Sequence, residues 1–251
     1  MAGDEDGKRA ALPWWPNVAG TAGAAGKEPL SRDQIVAAAI RLIDVDGIDG
    51  FSMRKLGQEL DAGATSLYWH VKGKDQLIDL VLDEIVGEVK LDDDPSLPWR
   101  DRAAYVAWEF RRVVKRHRHL APLAGSRLIM GPNLLTAIEH LFSILRAGGF
   151  DGVRLTLAFS AILTFALGTG ITESREFTGP GSEGKTLEEL EQLVVEMFQS
   201  LPADRFPNLV KQMAVADQSD IDNDAQFRYG LERLLDGLEM DLARASAGAE
   251  A

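Results

Sequence analysis

The stretch GATSLYWHVKGK, residues 63–74, sets Thr65, Ser66, Tyr68, Trp69 and His70 almost side by side and follows them with Lys72 and Lys74. Two aromatic rings among hydroxyls and ammonium groups make poor core material. At helical spacing only Leu67 and Val71 share an apolar face, so the other side chains turn outward, forming a surface suited to touching another molecule. A helix this short does not hold alone in water and must lean on its neighbours.

Those neighbours are legible on both sides. Ser31 with Gln34 forms a capping-box pattern, after which Ile35, Val36, Ala39, Ile40 and Ile43 fall on one face until Gly47, predicting a helix over 32–46. Ser52 can cap a short second helix with Met53, Leu56 and Leu60 inward, ended by DAGA at 61–64, and Thr65 can cap the third. Past Gly73, a longer helix carries Leu77, Ile78, Val81, Leu82, Ile85 and Val89. Helix, short helix, tight turn, short helix is the helix-turn-helix pattern, whose second short helix enters the DNA major groove. Beyond DDDPSLP at 92–98 the periodicity stays helical, over about 99–118, 132–147, 151–175, 186–200 and 222–244, with connectors at 176–185 and 201–220. No run alternates like a strand, so the chain reads as all-α.

Composition narrows the function. The 251 residues are 45% hydrophobic and contain no cysteine, which allows a sizeable core and excludes disulfides, thiolate zinc sites and cysteine nucleophiles. A net charge of -12 argues against coating nucleic acid by bulk electrostatics, so DNA contact has to be local. Between Gly50 and Lys74 it is: Arg54, Lys55, Lys72 and Lys74 face only Glu59 and Asp61. The apolar run 153–171 is broken by Arg154 and several hydroxyls and glycines, and is expected to be a buried helix. The opening MAGDEDGKRA has no apolar segment of a secretory signal, and a cytoplasmic protein is expected.

The segment GIDGFSMRKLGQELDAGATSLYWHVKGKDQLID, 47–79, closely resembles the DNA-binding region of the tetracycline repressor family, and FALGTGITE at 165–173 and FRYGLERLLDGLE at 227–239 resemble its C-terminal part more weakly. The resemblance implies a flexible extension at 1–30, a three-helix DNA-binding domain at 31–78 and a helical ligand-binding and dimerisation domain at 79–251. It implies base reading by Arg54, Ser66, Tyr68, Trp69 and His70, and phosphate contacts through Ser52, Thr65, Tyr68 and Lys74. Chemistry suits these roles, since Arg54 can donate twice to guanine and the rings of Tyr68 or Trp69 can cover thymine methyls. Ala64 departs from the amide side chain found in the tetracycline-responsive members, so a different operator is expected. The N-terminal residues Arg9, Lys27 and Arg32 either belong to an arm reaching the minor groove or to an uninvolved tail.

The same resemblance implies a homodimer in which 151–175 and 222–244 pair with their copies. Phe227, Leu231, Leu234, Leu235 and Leu238 make the apolar stripe expected there, with Gly230 and Gly237 permitting close approach, although a single chain's core would need such a stripe too. Where drug-binding members hold a magnesium chelate, this chain places Ile129, Val106, Leu141 and Thr172, with Glu173 beside it. The expected pocket is therefore apolar and metal-free, walled by Phe110, Ile129, Phe142, Phe159 and Leu163. Asn133, Thr164, Thr169 and Thr172 are its candidate polar anchors, and the expected inducer is a flat, greasy molecule such as an antibiotic or polyketide.

Other motifs point elsewhere. GPGSEGKT at 179–186 fits a phosphate-loop pattern and supports the alternative of a nucleotide-dependent enzyme. Against it, the preceding ESREF is no apolar strand and Glu183 would set a carboxylate among phosphates. PWWP at 13–16 lacks room for the β-barrel such a module needs. HRH at 117–119 is flanked by Lys115 and Arg116, which repel a cation, and is expected to be a solvated helix end. His140 fits either a pocket or a core. The balance favours a ligand-responsive repressor, not an enzyme, with operator DNA, a small molecule and a second copy as partners and no cofactor.

Overall fold

A computed structural model describes residues 30–91, 94–174, 187–215 and 222–249. Among these residues the chain is entirely helical, with α1 (Arg32–Gly50), α2 (Met53–Glu59), α3 (Ala64–His70), α4 (Lys74–Val86), α5 (Trp99–Arg116) and α6 (Ala121–Ala124), then α7 (Pro132–Ala147), α8 (Gly152–Glu173), α9 (Leu187–Gln199), α10 (Pro207–Val215) and α11 (Asn223–Ala249).

Local chemistry explains the first helices. Ser31 Oγ accepts from Gln34 N at 3.1 Å while Gln34 Oε1 accepts from Ser31 N at 3.0 Å, the reciprocal bonds of a capping box. Gly47 takes φ +71, a conformation that costs any side chain, and bends α1 before its last turn. Ser52 caps α2 through Lys55 N at 3.2 Å. Thr65 does not cap α3: the helix starts one residue earlier, with extended Gly63 as a cap that offers no side-chain acceptor, so Thr65 lies within the first turn. Ile35, Ile43, Leu56, Leu67 and Leu77 are fully buried and form the core shared by α1–α4.

The chain divides into two compact units, one made of Met1–Ser174 with Leu231–Ala251, the other of Arg175–Gly230. In the first, α5 lies along α8, α7 packs on both, and α4 runs from the α1 core to α7. The boundary expected between 78 and 79 thus falls inside α4, which serves both halves. At the far end the Trp99 and Phe150 rings meet edge to face at 5.1 Å, and a Cβ on Gly148 would enter the Trp99 ring. In the second unit α9 packs on α10. The connector expected at 201–220 contains α10, begun by Pro207, which has no N–H to lose at a helix start.

Two further expectations change. The helix at 151–175 is only partly buried: Leu155, Ala158, Ile162, Ala166 and Gly170 face inward, whereas Val153 and Leu157 are 74% and 63% exposed. It is long and apolar enough to cross a membrane, yet it sits as a partly buried core helix. His117 is not solvated but 2% exposed, because α5 ends one residue before it and the chain folds the ring inward.

Candidate nucleic-acid interface and sensor core

Leu67 and Val71, 0% and 1% exposed, pin α3 to the core, and this fixes what its opposite face presents. Thr65 and Ser66 are exposed, Tyr68 and Trp69 are 52% and 84% exposed, and His70 is half-buried. Exposed aromatic rings are costly in water, and this helix shows two of them beside hydroxyls. Arg54, exposed on α2, reaches the same side: with Met53, Gly57, Gln58, Asp61 and Tyr68 it lines a groove of about 710 Å³ between α2 and α3.

The turn that sets the angle between α2 and α3 is tight. Ala62 N donates to Gly57 O at 2.9 Å, and a Cβ on Gly57 would stand 2.9 Å from Ala62 O. Asp61 takes φ +48 to complete it. Lys74 has a structural task beside the phosphate role implied for it: Nζ donates to Phe51 O at 3.1 Å and Ile48 O at 3.3 Å and lies 5.5 Å from the Phe51 ring centre. It therefore ties the start of α4 to the segment before α2. Arg32 is the first residue of α1, not part of a tail, while Arg9 and Lys27 lie outside the described residues, as does the loop 179–186.

Behind this head most of the apolar pocket candidates lie on α5, α7 and α8, which pack on one another, with Ile129 in the segment just before α7. Val106, Phe110, Ile129 and Leu141 are buried, and half-buried Phe142 and Phe159 meet with ring centres 4.7 Å apart; Leu163 is half-buried. The polar candidates do not converge on them. Thr172 and Thr164 are exposed; Thr172 Oγ1 donates to Gly168 O and Thr169 Oγ1 to Phe165 O, each within its own helix. Asn133 is occupied at the start of α7: its N–H donates to Asp83 Oδ2 at 3.2 Å and its Nδ2 to Asp83 O at 3.1 Å. His140 lines a surface groove on α7 with Leu135, Glu139 and Ser143.

Sequence reasoning missed the buried charges. Asp83, 5% exposed, caps α7 from α4, accepting from Leu134 N at 3.0 Å as well as from Asn133 N. Its only signal was an acid four residues after Asp79 inside an apolar run. Glu173, placed beside a metal position by resemblance, is instead held by Arg111, whose Nη2 lies 2.8 Å away, and by Lys115 at 3.1 Å. Among the described residues no cluster of three or more histidine and acidic side chains is arranged to hold a metal.

Of the five stripe residues in α11, Phe227, Leu231 and Leu235 are covered by their own chain at 1–2% exposure, while Leu234 and Leu238 stay half-buried. Arg100 fastens this helix to α5 through Asp236 at 2.6 Å and Glu239 at 3.0 Å, and holds the Asp236 carboxyl below its usual range.

Known proteins share this arrangement. Residues 92–242 match the family described as tetracyclin repressor-like, C-terminal domain, and residues 35–81 match the bacterial regulatory proteins of the tetR family. An HTH-type transcriptional regulator of Saccharopolyspora erythraea is 42% identical over 148 residues, covering 59% of this chain and 63% of that protein. The transcriptional repressor DrrR1 of Streptomyces coeruleorubidus is 30% identical over 220 residues, 87% of this chain and 80% of its own. Streptomyces coelicolor ActR, solved in complex with actinorhodin, superposes with a TM-score of 0.73 at 32% identity, over 86% of this chain and 99% of ActR. The chain belongs to the tetracycline repressor family of transcriptional regulators, which are DNA-binding proteins and not enzymes.

Proposed function

We propose that the protein is a homodimeric repressor that reads a palindromic operator with α3 and lets go of it when an aromatic, largely apolar small molecule enters the layer between α5, α7 and α8. The observation that carries the DNA half is the α3 face, with Tyr68 and Trp69 exposed over a fully anchored Leu67. For the ligand half, the support is the apolar set Val106, Ile129 and Leu141, together with ActR's capture of a polyketide. Burying a magnesium–tetracycline chelate against these side chains would leave its oxygens unpaired at roughly 1–3 kcal/mol each.

Dimerisation is supported by the outward face of α8, where Val153 and Leu157 remain in water in the single chain. Two recognition helices reading successive major grooves stand about 34–36 Å apart, and a ligand acts by disfavouring that spacing. The test is titration of the protein–operator complex with actinorhodin and, separately, with tetracycline plus magnesium. Release by the polyketide that Ile129→Asp abolishes is the expected result. Magnesium-dependent release by tetracycline, or no release by the polyketide, overturns the ligand reading.

A further inference from the structure

His117, 2% exposed at the end of α5, stands between two carboxylates from other parts of the chain. Its Nδ1 is 3.1 and 3.0 Å from the two oxygens of Asp44 in α1, and its Nε2 is 3.2 Å from Glu88 Oε1, just past α4. A neutral imidazole has one N–H and one lone pair and can donate to only one carboxylate. The ring that satisfies both is the imidazolium, whose bonds are charge-assisted.

The cluster is asymmetric. Glu88 is fixed to α5 without His117, since its carbonyl accepts from Arg112 Nη2 at 2.8 Å and its Oε2 pairs with Arg116 Nη1 at 3.1 Å. Asp44 belongs to α1, whose Ile35 and Ile43 are fully buried in the core of the DNA-reading head. The His117–Asp44 bond therefore ties the head to the layer of α5, α7 and α8. His119 flanks it, with Nδ1 3.7 Å from where a Cβ on Gly47 would lie.

We propose that His117 is a positioning residue for operator recognition: an imidazolium latch that fixes α1, and with it α3, on the sensor layer, and so sets the distance between the two recognition helices of the dimer. This rests on the dimeric reading above. A latched pair of heads is preorganised for one half-site spacing, whereas a loosened pair pays an ordering cost on every operator and accepts wrong spacings.

The experiment uses the full-length protein and a palindromic duplex that the wild type selects from random DNA. Affinities are measured for that duplex, for versions with one base pair added or removed between the half-sites, and for an isolated half-site. His117→Gln and Asp44→Asn should each reduce the preference for the selected spacing on the order of tenfold, the scale of a lost charged hydrogen bond. Half-site affinity should not move, and the double variant should lose no more than either single one. An unchanged spacing preference in both variants overturns the latch, as does a uniform loss on every duplex including the half-site, which marks a folding defect only. If the wild type itself shows no spacing preference, the dimeric reading fails first and takes the latch with it. Asp44→Asn keeps the test decisive should His117→Gln not fold.

Discussion

Asp61 holds φ +48 in the turn between α2 and α3, a conformation an L side chain enters at a cost and glycine enters freely. Asp61→Gly is expected to stabilise the fold by about 0.5–1 kcal/mol, with the entropy of the freer unfolded chain already subtracted. Urea unfolding checks it, and a lower midpoint with an unchanged slope contradicts it. Lys74 separates two roles that the sequence joined. Because Nζ already donates to Phe51 O and Ile48 O, Lys74→Met should cost about 1 kcal/mol of stability in addition to any operator affinity. Unaltered urea unfolding of that variant, with operator binding lost, would assign the ammonium to phosphate alone.

At the scale of elements, caps decide where helices meet. Asp83 closes the start of α7 from α4, and a Cβ on Gly131 would stand 2.0 Å from its carboxylate carbon. Asp83→Ala should therefore destabilise by about 1–3 kcal/mol, and Gly131→Ala should also destabilise, both measured by thermal unfolding. Arg112, with help from Lys90 N–H, holds the Glu109 carboxyl below its ordinary value of 4.5. A carboxyl depressed in the folded state adds stability above that ordinary value and loses it as pH falls through the folded one. Glu109→Gln should thus be less stable than wild type at neutral pH by under about 1 kcal/mol, the gap closing in acid; a gap that widens in acid contradicts the pairing. These elements also show what the sequence discloses. The apolar faces of α1–α4 and the caps at Ser31 and Ser52 were legible because each acts locally on its own helix, whereas Gly47 bends α1 without ending it and α3 begins at Ala64, ahead of the expected Thr65 cap. Asp83, His117 and Glu173 were not legible, because each finds at least one partner across more than forty residues of chain, and spacing along one helix carries no trace of that.

For the whole molecule, α8 carries the outward apolar face that a second copy would cover. Leu157→Glu, at a position 63% exposed in the single chain, should leave the fold intact and convert a dimer into a monomer of 27.4 kDa by sedimentation equilibrium. A variant that stays dimeric places the interface elsewhere. The resemblance pointed to α8 and α11 together; within α11, Phe227, Leu231 and Leu235 are consumed in their own chain while Leu234 and Leu238 stay half-buried, a distinction periodicity cannot make because cores and interfaces share one pattern. The central claim is that α3 reads DNA with the face that Leu67 and Val71 leave in water. Its most direct test is the affinity of wild type and Tyr68→Ala for the duplex the wild type selects from random DNA, at physiological salt. The expected selection is a palindrome with half-site centres about 10–10.5 base pairs apart, bound roughly ten- to a hundredfold more weakly by Tyr68→Ala at unchanged helicity. No enriched sequence, or equal affinity of the two proteins, contradicts the account.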